Sequence, residues 1–341
     1  MKSPDLIKKR FYNMWNAGIA GIGSYVPERV LTNNDLEKMV DTSDEWIRTR
    51  TGISERHICS ENMSTSDMAV EAAAMALKDA AVDAADVDMI IVASVTPDMP
   101  FPATACLVQN RLGAVNASAF DLEAGCSGFI YALTVGSQFI ISGVYRNVLV
   151  IGADALSKVT NWEDRSTCVL FGDGAGAALL QRVPSGYGLL SFKLGAVGSG
   201  GEYLKIPAGG SKLPASADTV AERGHFIKME GNEVFKFAVR IMGEAALTVV
   251  EEAGLTTDDI DCLIPHQANI RIIDAAARRL GLPQEKVFIN VQRYGNTSAA
   301  SIPLALKEAV DSGKVVPGSI IIMVGFGAGL TWGAVALRWK E

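Results

Sequence analysis

The stretch GLTTDDIDCLIPHQ (254–267) decides the fold, because it resembles AVDAADVDMIIVAS (81–94) in the first half of the chain. In both, an acidic turn leads into an apolar run of strand length, and an alanine-rich helical pattern comes before it. The comparison pairs Asp88 with Asp261 and places His266 just beyond the end of a strand. Ligand sites of α/β sheets lie at that end.

A second repeat supports the first. FGDG (171–174) recurs as FGAG (326–329), each time before small and apolar residues. Together the two similarities predict two related halves. We place these halves at 17–185 and 186–341, after an N-terminal extension of unknown use at 1–16.

Strand and helix patterns alternate along the chain. The apolar runs 87–95, 147–155 and 319–327 are typical of buried strands, whereas 66–82 has the spacing of a helix. This alternation predicts an α/β fold built on largely parallel sheets.

Composition limits the function. The 341 residues carry a formal net charge of −7, so we expect no nucleic-acid partner, which would need a basic surface. The five cysteines are widely spaced and include no CxxC pair, which is typical of a reducing, cytoplasmic setting. The cysteines and the three histidines show no metal-ligand spacing, so we expect no metal.

One uncharged stretch, AGCSGFIYALTVGSQFIISGVY (124–145), is long enough to cross a bilayer. Its glycines, serines and glutamine lower its hydropathy. We expect it to be the buried central helix of a globular protein, without a membrane partner.

Cys126, in DLEAGCSGF (121–129), stands where this uncharged helix is expected to begin. A thiol at a helix N-terminus feels the positive end of the helix dipole, which favours the thiolate. Gly125 and Gly128 leave room for a substrate. From this segment alone, Cys126 is either a nucleophile or a small buried packing residue.

His266, in CLIPHQANIR (262–271), and Asn296, in RYGNTSAAS (293–301), are further candidates. The simpler interpretations are a buried structural histidine and a helix-capping asparagine. With Cys126 they form a cysteine, a histidine and an amide in that order, which is a known catalytic arrangement. It fits a papain-like hydrolase or an acyl-transferring enzyme that forms carbon–carbon bonds, but the papain signature C-G-[SA]-C-[WY] is absent.

Two other motifs are ambiguous. FGDGAG (171–176) lacks the spacing of either common phosphate loop, and no lysine follows it. DTSDEWIRTRTG (41–52) places Trp46 near two arginines. That group could stack an aromatic ligand and hold phosphate, or form surface salt bridges around a partly buried tryptophan.

Seven ordered motifs resemble those of β-ketoacyl-acyl carrier protein (ACP) synthase III, the condensing enzyme that starts type II fatty acid synthesis. The similarity runs from about residue 17 to the C-terminus. The motifs are DTSDEWIRTRTGI, AFDLEAGCSGF, FGDGAGAALL, GNEVFKFAV, PHQANIRII, GNTSAAS and GFGAGLTWG. The resemblance implies a thiolase-like α/β fold, with two similar halves in a five-layered α-β-α-β-α arrangement. It also implies a cytoplasmic acyltransferase that is usually a homodimer.

The resemblance implies the chemistry as well. Cys126 would take the acyl group of an acyl-CoA primer, and His266 and Asn296 would stabilise malonyl-ACP as it loses carbon dioxide. The carbanion would attack the acyl-Cys126 carbonyl to give β-ketoacyl-ACP, while backbone N–H groups of Cys126 and Ala328 hold the oxyanion. The family often has glycine where Ala328 stands. Acyl-CoA is a substrate in this scheme, and no cofactor is implied.

Other positions carry over to the substrate entrance. Trp46 and Arg165 match a pair that sandwiches the CoA adenine, and Phe235 matches an aromatic that narrows the tunnel. Phe101 matches a residue that one subunit lends to the acyl pocket of the other. The rest of the implied CoA path consists of Thr42, Arg50, Asn269 and Arg271.

An acidic ACP and an acidic enzyme need a local basic patch in order to dock. Two helical segments carry cations spaced one or two turns apart. We predict an ACP-docking patch that consists of Lys236, Arg240, Arg271, Arg278 and Arg279. An ordinary solvated face is the simpler interpretation.

Several alternatives stay open. The primer, whether acetyl, longer straight or branched, is not readable, because each methylene changes binding in a pocket by roughly 1–3 kcal/mol. A related condensing enzyme of secondary metabolism with a different acyl starter is the nearest alternative, and a non-catalytic acyl-binding scaffold is the most distant. A degradative thiolase would need a second catalytic cysteine near the C-terminus, and none follows Cys262.

Overall fold

The computed structural model describes residues 15–340, so the predicted extension at 1–16 lies almost wholly outside the described residues. The strands are β1 (Trp15–Tyr25), β2 (Val30–Thr32), β3 (Glu55–His57), β4 (Met89–Ala93), β5 (Ser118–Leu122), β6 (Val148–Ala155), β7 (Asp173–Pro184), β8 (Gly188–Ala196), β9 (Leu204–Lys205), β10 (Lys228–Met229), β11 (Cys262–Pro265), β12 (Ile320–Gly327) and β13 (Thr331–Arg338).

The helices lie between these strands and cover their faces. They are α1 (Asn33–Leu36), α2 (Asp44–Thr51), α3 (Thr65–Asp79), α4 (Thr104–Leu112), α5 (Gly128–Ser142), α6 (Arg165–Cys168), α7 (Ala217–Ala221), α8 (Gly231–Glu252), α9 (Ile270–Leu280), α10 (Val291–Tyr294) and α11 (Ser301–Asp311).

Two main sheets share one topology. The first has the order β1-β7-β6-β4-β5 and the second the order β11-β12-β13-β8. In each sheet, the strand that comes first in the chain pairs with the strand that comes last. The last strand also pairs with the next-to-last, and the next-to-last pairs with the second. In the second sheet the fifth strand is reduced to one parallel bridge between Leu263 and Val287. This shared order is the structural form of the repeat seen in the sequence.

The sheets are mixed, so the prediction of largely parallel sheets was wrong. β4 runs parallel to β5 and β6, and β11 runs parallel to β12. The pairs β1–β7, β6–β7, β12–β13 and β13–β8 are antiparallel. In the second half the reason is local: only residues 328–330 connect β12 to β13, and so short a connection joins antiparallel neighbours.

Five layers stack as α-β-α-β-α. The helices α5 and α11 lie in the middle, in one buried cluster with inner faces of both sheets. The helices α3 and α4 cover the outer face of the first sheet, and α8 and α9 that of the second. The strand pattern explains this, since Ile321 and Met323 of β12 face the middle layer while Ile322 and Val324 face outward.

The uncharged helix α5 occupies the middle layer. Within residues 15–340, Gly125–Ser142 is the one stretch apolar and long enough to cross a membrane, with a mean hydropathy of 1.2, and 61% of it is buried. It can lack charge because sheets cover it on two sides. Gly143, at φ +80, ends the helix in the left-handed conformation that favours glycine.

Candidate active site

Cys126 opens into a cavity at the head of α5. It lies in a 3-10 turn, Gly125–Ser127, directly before the helix, and is partly exposed. The cavity has a volume of about 740 Å³ and is lined by both halves, with Ser298 and Ala328 among its walls. The sulfur is therefore accessible to a ligand, which a simple packing role would not require.

Burial opposes the predicted thiolate. It raises the pKa of the Cys126 thiol to about 12, with a smaller upward contribution from the Asp154 carboxyl group. The Ser298 side chain acts in the opposite direction. The helix dipole invoked from the sequence is thus outweighed in the free protein, and the thiol must lose a proton before it reacts as a nucleophile.

Two glycines bring the backbone N–H groups of Cys126 and Ala328 together. A side-chain carbon on Gly125 would lie 2.6 Å from the Ala328 nitrogen, and one on Gly327 would lie 2.2 Å from the Cys126 nitrogen. Neither contact is possible, so both positions must be glycine. Gly125 also has a φ of +57. The glycines of AGCSG and FGAG therefore permit a close backbone approach, at the place where an oxyanion would need donors.

His266 follows β11 directly, as the repeat predicted. Its N–H donates to the Val324 carbonyl at 2.8 Å, and the ring lies edge-on against Phe326. The residue is 1% exposed. Burial lowers the pKa of the imidazole to about 3, so the ring is neutral at physiological pH.

Ser301 is the partner of His266 that the sequence did not reveal. Its Oγ lies 2.6 Å from His266 Nδ1. If this hydroxyl donates to Nδ1, the ring proton is on Nε2. Among residues 15–340, Nε2 has no hydrogen-bond partner, so it is free to donate to a substrate. The last serine of GNTSAAS was the available signal, but its contact spans 35 positions.

Asn296 is held by its backbone and keeps its amide free. Its N–H donates to the Leu170 carbonyl at 2.8 Å, and its carbonyl accepts from Gly172 N–H at 3.0 Å. Its Oδ1 accepts the Ser298 N–H at 2.9 Å. Within the described part of the chain, Nδ2 has no partner. The oxygen thus closes a local turn and does not cap the helix as predicted, since the N-cap of the following 3-10 turn is Thr297, while the NH₂ group is available as a donor.

FGDGAG supports this asparagine and does not form a phosphate loop. Phe171 forms a parallel bridge with Asn296. Beneath the turn lies the fully buried Arg56, which donates to the carbonyls of Leu31 and Val169. A side-chain carbon on Gly295 would meet the Arg56 Cβ at 3.4 Å. No sequence pattern indicated this buried guanidinium, whose pKa burial lowers to about 10.

The strand β12 relates the three predicted residues. Gly325 and Gly327 point to the same face of β12, about 7 Å apart at two residues' rise. A side-chain carbon on Gly325 would lie 3.5 Å from the His266 Cβ, and Gly327 adjoins Cys126. The turn Ser298–Ala300, next to Asn296, packs against Gly125–Ser127. Cys126, His266 and Asn296 are therefore neighbours in space, and their catalytic roles remain predictions.

Trp46 and Arg165 lie together at the surface. The Arg165 and Arg50 guanidinium carbons are each 5.0 Å from the Trp46 ring centroid. An adenine placed between the Trp46 ring and the Arg165 guanidinium would need a separation of roughly 7 Å between these two groups, which is two contact distances of about 3.5 Å each. Arg165, which also donates to the Asp41 carbonyl at 2.8 Å, would therefore have to move away from the ring to admit a base.

The other predicted CoA residues have mixed surroundings. The Asn269 side chain donates to the Arg50 carbonyl at 3.0 Å and accepts the Arg271 N–H at 2.9 Å, so it already caps α9. The Arg271 guanidinium stacks on Phe235 at 5.0 Å. Thr42 Oγ1 is buried without a hydrogen-bond partner among the described residues.

The predicted docking patch lies on two helices that pack against each other, α8 and α9. Lys236 is paired with Glu233 at 2.7 Å, which reduces its contribution to the local charge. The Arg240 guanidinium lies 6.0 Å from the Phe237 ring. Arg271, Arg278 and Arg279 are exposed on α9.

Phe101 is 84% exposed and does not line the cavity that contains Cys126. Within residues 15–340, no three His, Cys, Asp or Glu side chains form a cluster that could hold a metal ion.

An accessible cysteine lies at the head of a buried helix, beside two adjoining backbone N–H groups, and free histidine and amide nitrogens lie close by, where two similar halves meet. This combination defines the class of thiolase-fold acyltransferases that condense acyl groups.

Comparisons with known proteins identify the family within this class. The sequence model of the 3-oxoacyl-[acyl-carrier-protein (ACP)] synthase III family matches residues 120–198. The sequence model of the C-terminal part of the same family matches residues 250–339. The β-ketoacyl-[acyl-carrier-protein] synthase III of Caldanaerobacter subterraneus subsp. tengcongensis is 62% identical over 325 residues, 95% of this chain and 98% of that protein. The chain belongs to the β-ketoacyl-ACP synthase III family, and it is an acyltransferase.

Solved structures agree in fold. The 3-oxoacyl-[acyl-carrier-protein] synthase III of Aquifex aeolicus VF5 matches with a TM-score of 0.88 and 51% identity, over 95% of this chain and 100% of that one. The priming β-ketosynthase of the R1128 polyketide pathway matches with a TM-score of 0.89 and 37% identity, over 97% and 98%. The thiolase-like fold is confirmed, and the papain-like interpretation has no support.

Proposed function

We propose that this protein condenses an acyl-CoA primer with malonyl-ACP, with loss of carbon dioxide, to give the β-ketoacyl-ACP that starts type II fatty acid synthesis in the cytoplasm. The observation that carries the proposal is the accessible Cys126 thiol beside the Cys126 and Ala328 N–H groups. A nucleophile and an oxyanion site in one cavity are what acyl transfer needs.

In the first step, the Cys126 sulfur attacks the thioester carbonyl of acyl-CoA. The tetrahedral oxyanion accepts hydrogen bonds from the two backbone N–H groups, and CoA leaves as a thiol. Each such donor typically lowers the barrier by about 3–4 kcal/mol. Because the glycines allow no side chain here, the two donors stay in place before the substrate arrives.

In the second step, His266 and Asn296 act as neutral donors. Decarboxylation of the malonyl thioester leaves an enolate, whose oxygen His266 Nε2–H and Asn296 Nδ2–H would stabilise. A neutral imidazole with its proton on Nε2 can donate a hydrogen bond to the enolate oxygen, and burial keeps the ring neutral. The enolate carbon then attacks the acyl-Cys126 carbonyl and releases the sulfur.

The relatives indicate the pathway that this reaction starts. Identity favours the fatty acid enzymes, since the Aquifex protein is 51% identical and the polyketide priming enzyme 37%. Acylation by a panel of acyl-CoAs distinguishes acetyl, longer straight and branched primers.

We also propose a homodimer. β5 is an edge strand of the first sheet, and its residues are half-buried or exposed. Phe101 lies beyond β4 and is 84% exposed. An unpaired edge can add a strand of a second copy, and an exposed aromatic side chain beside it can fill a pocket of that copy.

The decisive experiment is intact-protein mass spectrometry after incubation with acetyl-, butyryl- and isobutyryl-CoA. We expect one acyl group per chain, absent in Cys126→Ala and retained in Cys106→Ala, the matched variant at an exposed cysteine. Malonyl-ACP should then remove the label and yield β-ketoacyl-ACP. A label on Cys106, or one released as free acid whether or not malonyl-ACP is present, would contradict the proposal.

A further inference from the structure

A carboxyl group that the condensation scheme leaves unused is buried behind Cys126. Asp154, near the end of β6, is fully buried. Its Oδ1 accepts hydrogen bonds from Ser94 Oγ at 3.0 Å, Val95 N–H at 2.8 Å, and Thr96 N–H and Oγ1 at 3.2 and 2.9 Å. These donors all lie on one side, in the loop that follows β4.

The other oxygen, Oδ2, faces the turn that carries Ser298. It accepts the Ala299 N–H at 3.1 Å. With a single accepted hydrogen bond, Oδ2 keeps a lone pair that is free for another proton. Asp154 thus joins the loop after β4 to the turn that follows Asn296, and both lie beside Cys126.

Ser298 lies next to Ala299, whose N–H donates to Asp154, in a turn that packs against the turn of Cys126. It is 1% exposed, lines the cavity that contains Cys126, and has a φ of +50, which is unusual for a residue with a side chain. Its buried Oγ forms no hydrogen bond of ordinary geometry with residues 15–340. The hydroxyl is nevertheless close enough to lower the pKa of both Cys126 and Asp154. A buried hydroxyl that is near two partners and fixed to neither is suited to transient proton exchange.

We propose that Ser298 is a further catalytic residue, whose hydroxyl carries the Cys126 thiol proton to Asp154 and back during acyl transfer. Asp154 acts through Ser298 and is a positioning residue and proton store.

The step balances within the protein and its substrate. The Cys126 S–H proton moves to Ser298 Oγ as the Ser298 proton moves to Asp154 Oδ2. The thiolate sulfur forms the new bond to the acyl carbon, and the bond from that carbon to the CoA sulfur breaks. The CoA thiolate then takes a proton back along the same path, which leaves Asp154 ionised and CoA as a thiol. No other reactant is consumed.

Other groups near the sulfur are less suited to accept this proton. His266 is neutral, and its free nitrogen is needed as a donor. The remaining titratable side chains of the cavity wall are Asp121, Glu123 and Lys205. None of the three contributes to the pKa of Cys126, whereas Asp154 raises it. Burial also raises the pKa of the Asp154 carboxyl group, which makes it a better acceptor.

The role of the proton transfer in acyl transfer rests on the proposed function, but the experiment that tests the proton transfer does not. Alkylation of Cys126 by iodoacetamide, followed by intact mass across a pH series, reports how readily the thiol loses its proton without any acyl-CoA. Ser298→Ala removes only the hydroxyl. Thr297→Ala is the matched control, since Thr297 is also 1% exposed, also has a buried hydroxyl without a partner in the described chain, and does not line the cavity.

We expect Ser298→Ala to slow alkylation near neutral pH by about 10-fold to 100-fold, with a pH profile displaced upward, because hydroxide must then remove the proton directly. Thr297→Ala should match the wild type. Equal rates in Ser298→Ala and wild type, or equal slowing in both variants, would overturn the proposal. If alkylation behaves as expected while acetyl-CoA leaves no adduct on the wild type, the proton path stands and the proposed function fails.

Discussion

His266 depends on one hydroxyl for its orientation. Ser301 Oγ lies 2.6 Å from Nδ1, and Nε2 has no hydrogen-bond partner among residues 15–340. A buried hydrogen bond of this kind does more than hold the ring in place, because it also selects the ring nitrogen that carries the proton. The proton position on a histidine with a predicted catalytic role can thus depend on a neighbouring side chain.

Ser301→Ala should lower the rate of malonyl-ACP decarboxylation by about tenfold, since an unpaired buried nitrogen costs about 1–3 kcal/mol. The rate of Cys126 acylation should stay the same, because His266 takes no part in it. Stopped-flow release of carbon dioxide and intact mass measure the two steps separately.

Ser301→Thr keeps the hydroxyl and should recover most of the lost rate. Ser137→Ala, at a buried serine whose hydroxyl donates to the Thr134 carbonyl, serves as the control for a lost core hydroxyl. With a His266 pKa of about 3, wild-type decarboxylation should show no histidine ionisation between about pH 5 and pH 8. A tenfold fall in the acylation rate of Ser301→Ala would contradict this division of roles.

At the scale of the element, the five cations of the predicted docking patch lie on α8 and α9, which pack against each other. Arg271 and Arg278 lie on one exposed face of α9. Lys236 on α8 is partly neutralised by Glu233. The arginines of α9 should therefore contribute more to docking of an acidic carrier protein than the lysine of α8.

Replacing both Arg271 and Arg278 with Glu should raise the KM for malonyl-ACP by about tenfold at low salt, since charge reversal changes attraction into repulsion. The effect should shrink as salt rises. Acylation by acetyl-CoA, measured by mass on the same variant, shows whether Arg271 also serves the CoA path.

The charge-matched control is Lys78→Glu with Arg146→Glu, two exposed cations on the first half of the molecule. An unchanged KM in the α9 variant would show that this surface does not dock the carrier protein. An equal rise in the control would show that net charge, and not this surface, governs docking.

At the scale of the whole molecule, β5 leaves one edge of the first sheet unpaired within residues 15–340. Ser118 N–H donates to the Asp88 carbonyl, and Ser94 N–H to the Leu122 carbonyl. The backbone groups of Ser118 and Leu122 thus point toward β4, and those of Ala119 and Asp121 point toward the open edge. A partner strand would pair with this second set.

Ala119→Pro removes one outward N–H and no bond within the chain, so it should shift the proposed dimer toward monomer. Sedimentation velocity measures the change, and activity should fall with it because Phe101 would no longer reach a partner. Ala119→Val, which keeps the N–H and favours a strand, should remain dimeric. A dimer of unchanged stability in Ala119→Pro would place the interface elsewhere.

The sequence by itself determined the fold class and the family. The reason is that the repeated strands and the glycine-rich turns at Cys126, Asn296 and Ala328 depend on local residue type and spacing. It also selected Cys126, His266 and Asn296 as candidates. The prediction of largely parallel sheets was wrong, because the relative direction of two paired strands depends on which strands become neighbours in space.

Only the tertiary structure decided the electrostatics. The raised pKa of Cys126 and the lowered pKa of His266 arise from burial, which is a property of the packed halves. Ser301, Asp154 and Arg56 gained their importance from contacts with segments distant in the chain. The physical reason is that desolvation and hydrogen bonding depend on which groups surround a side chain in space, and a one-dimensional pattern does not contain that information.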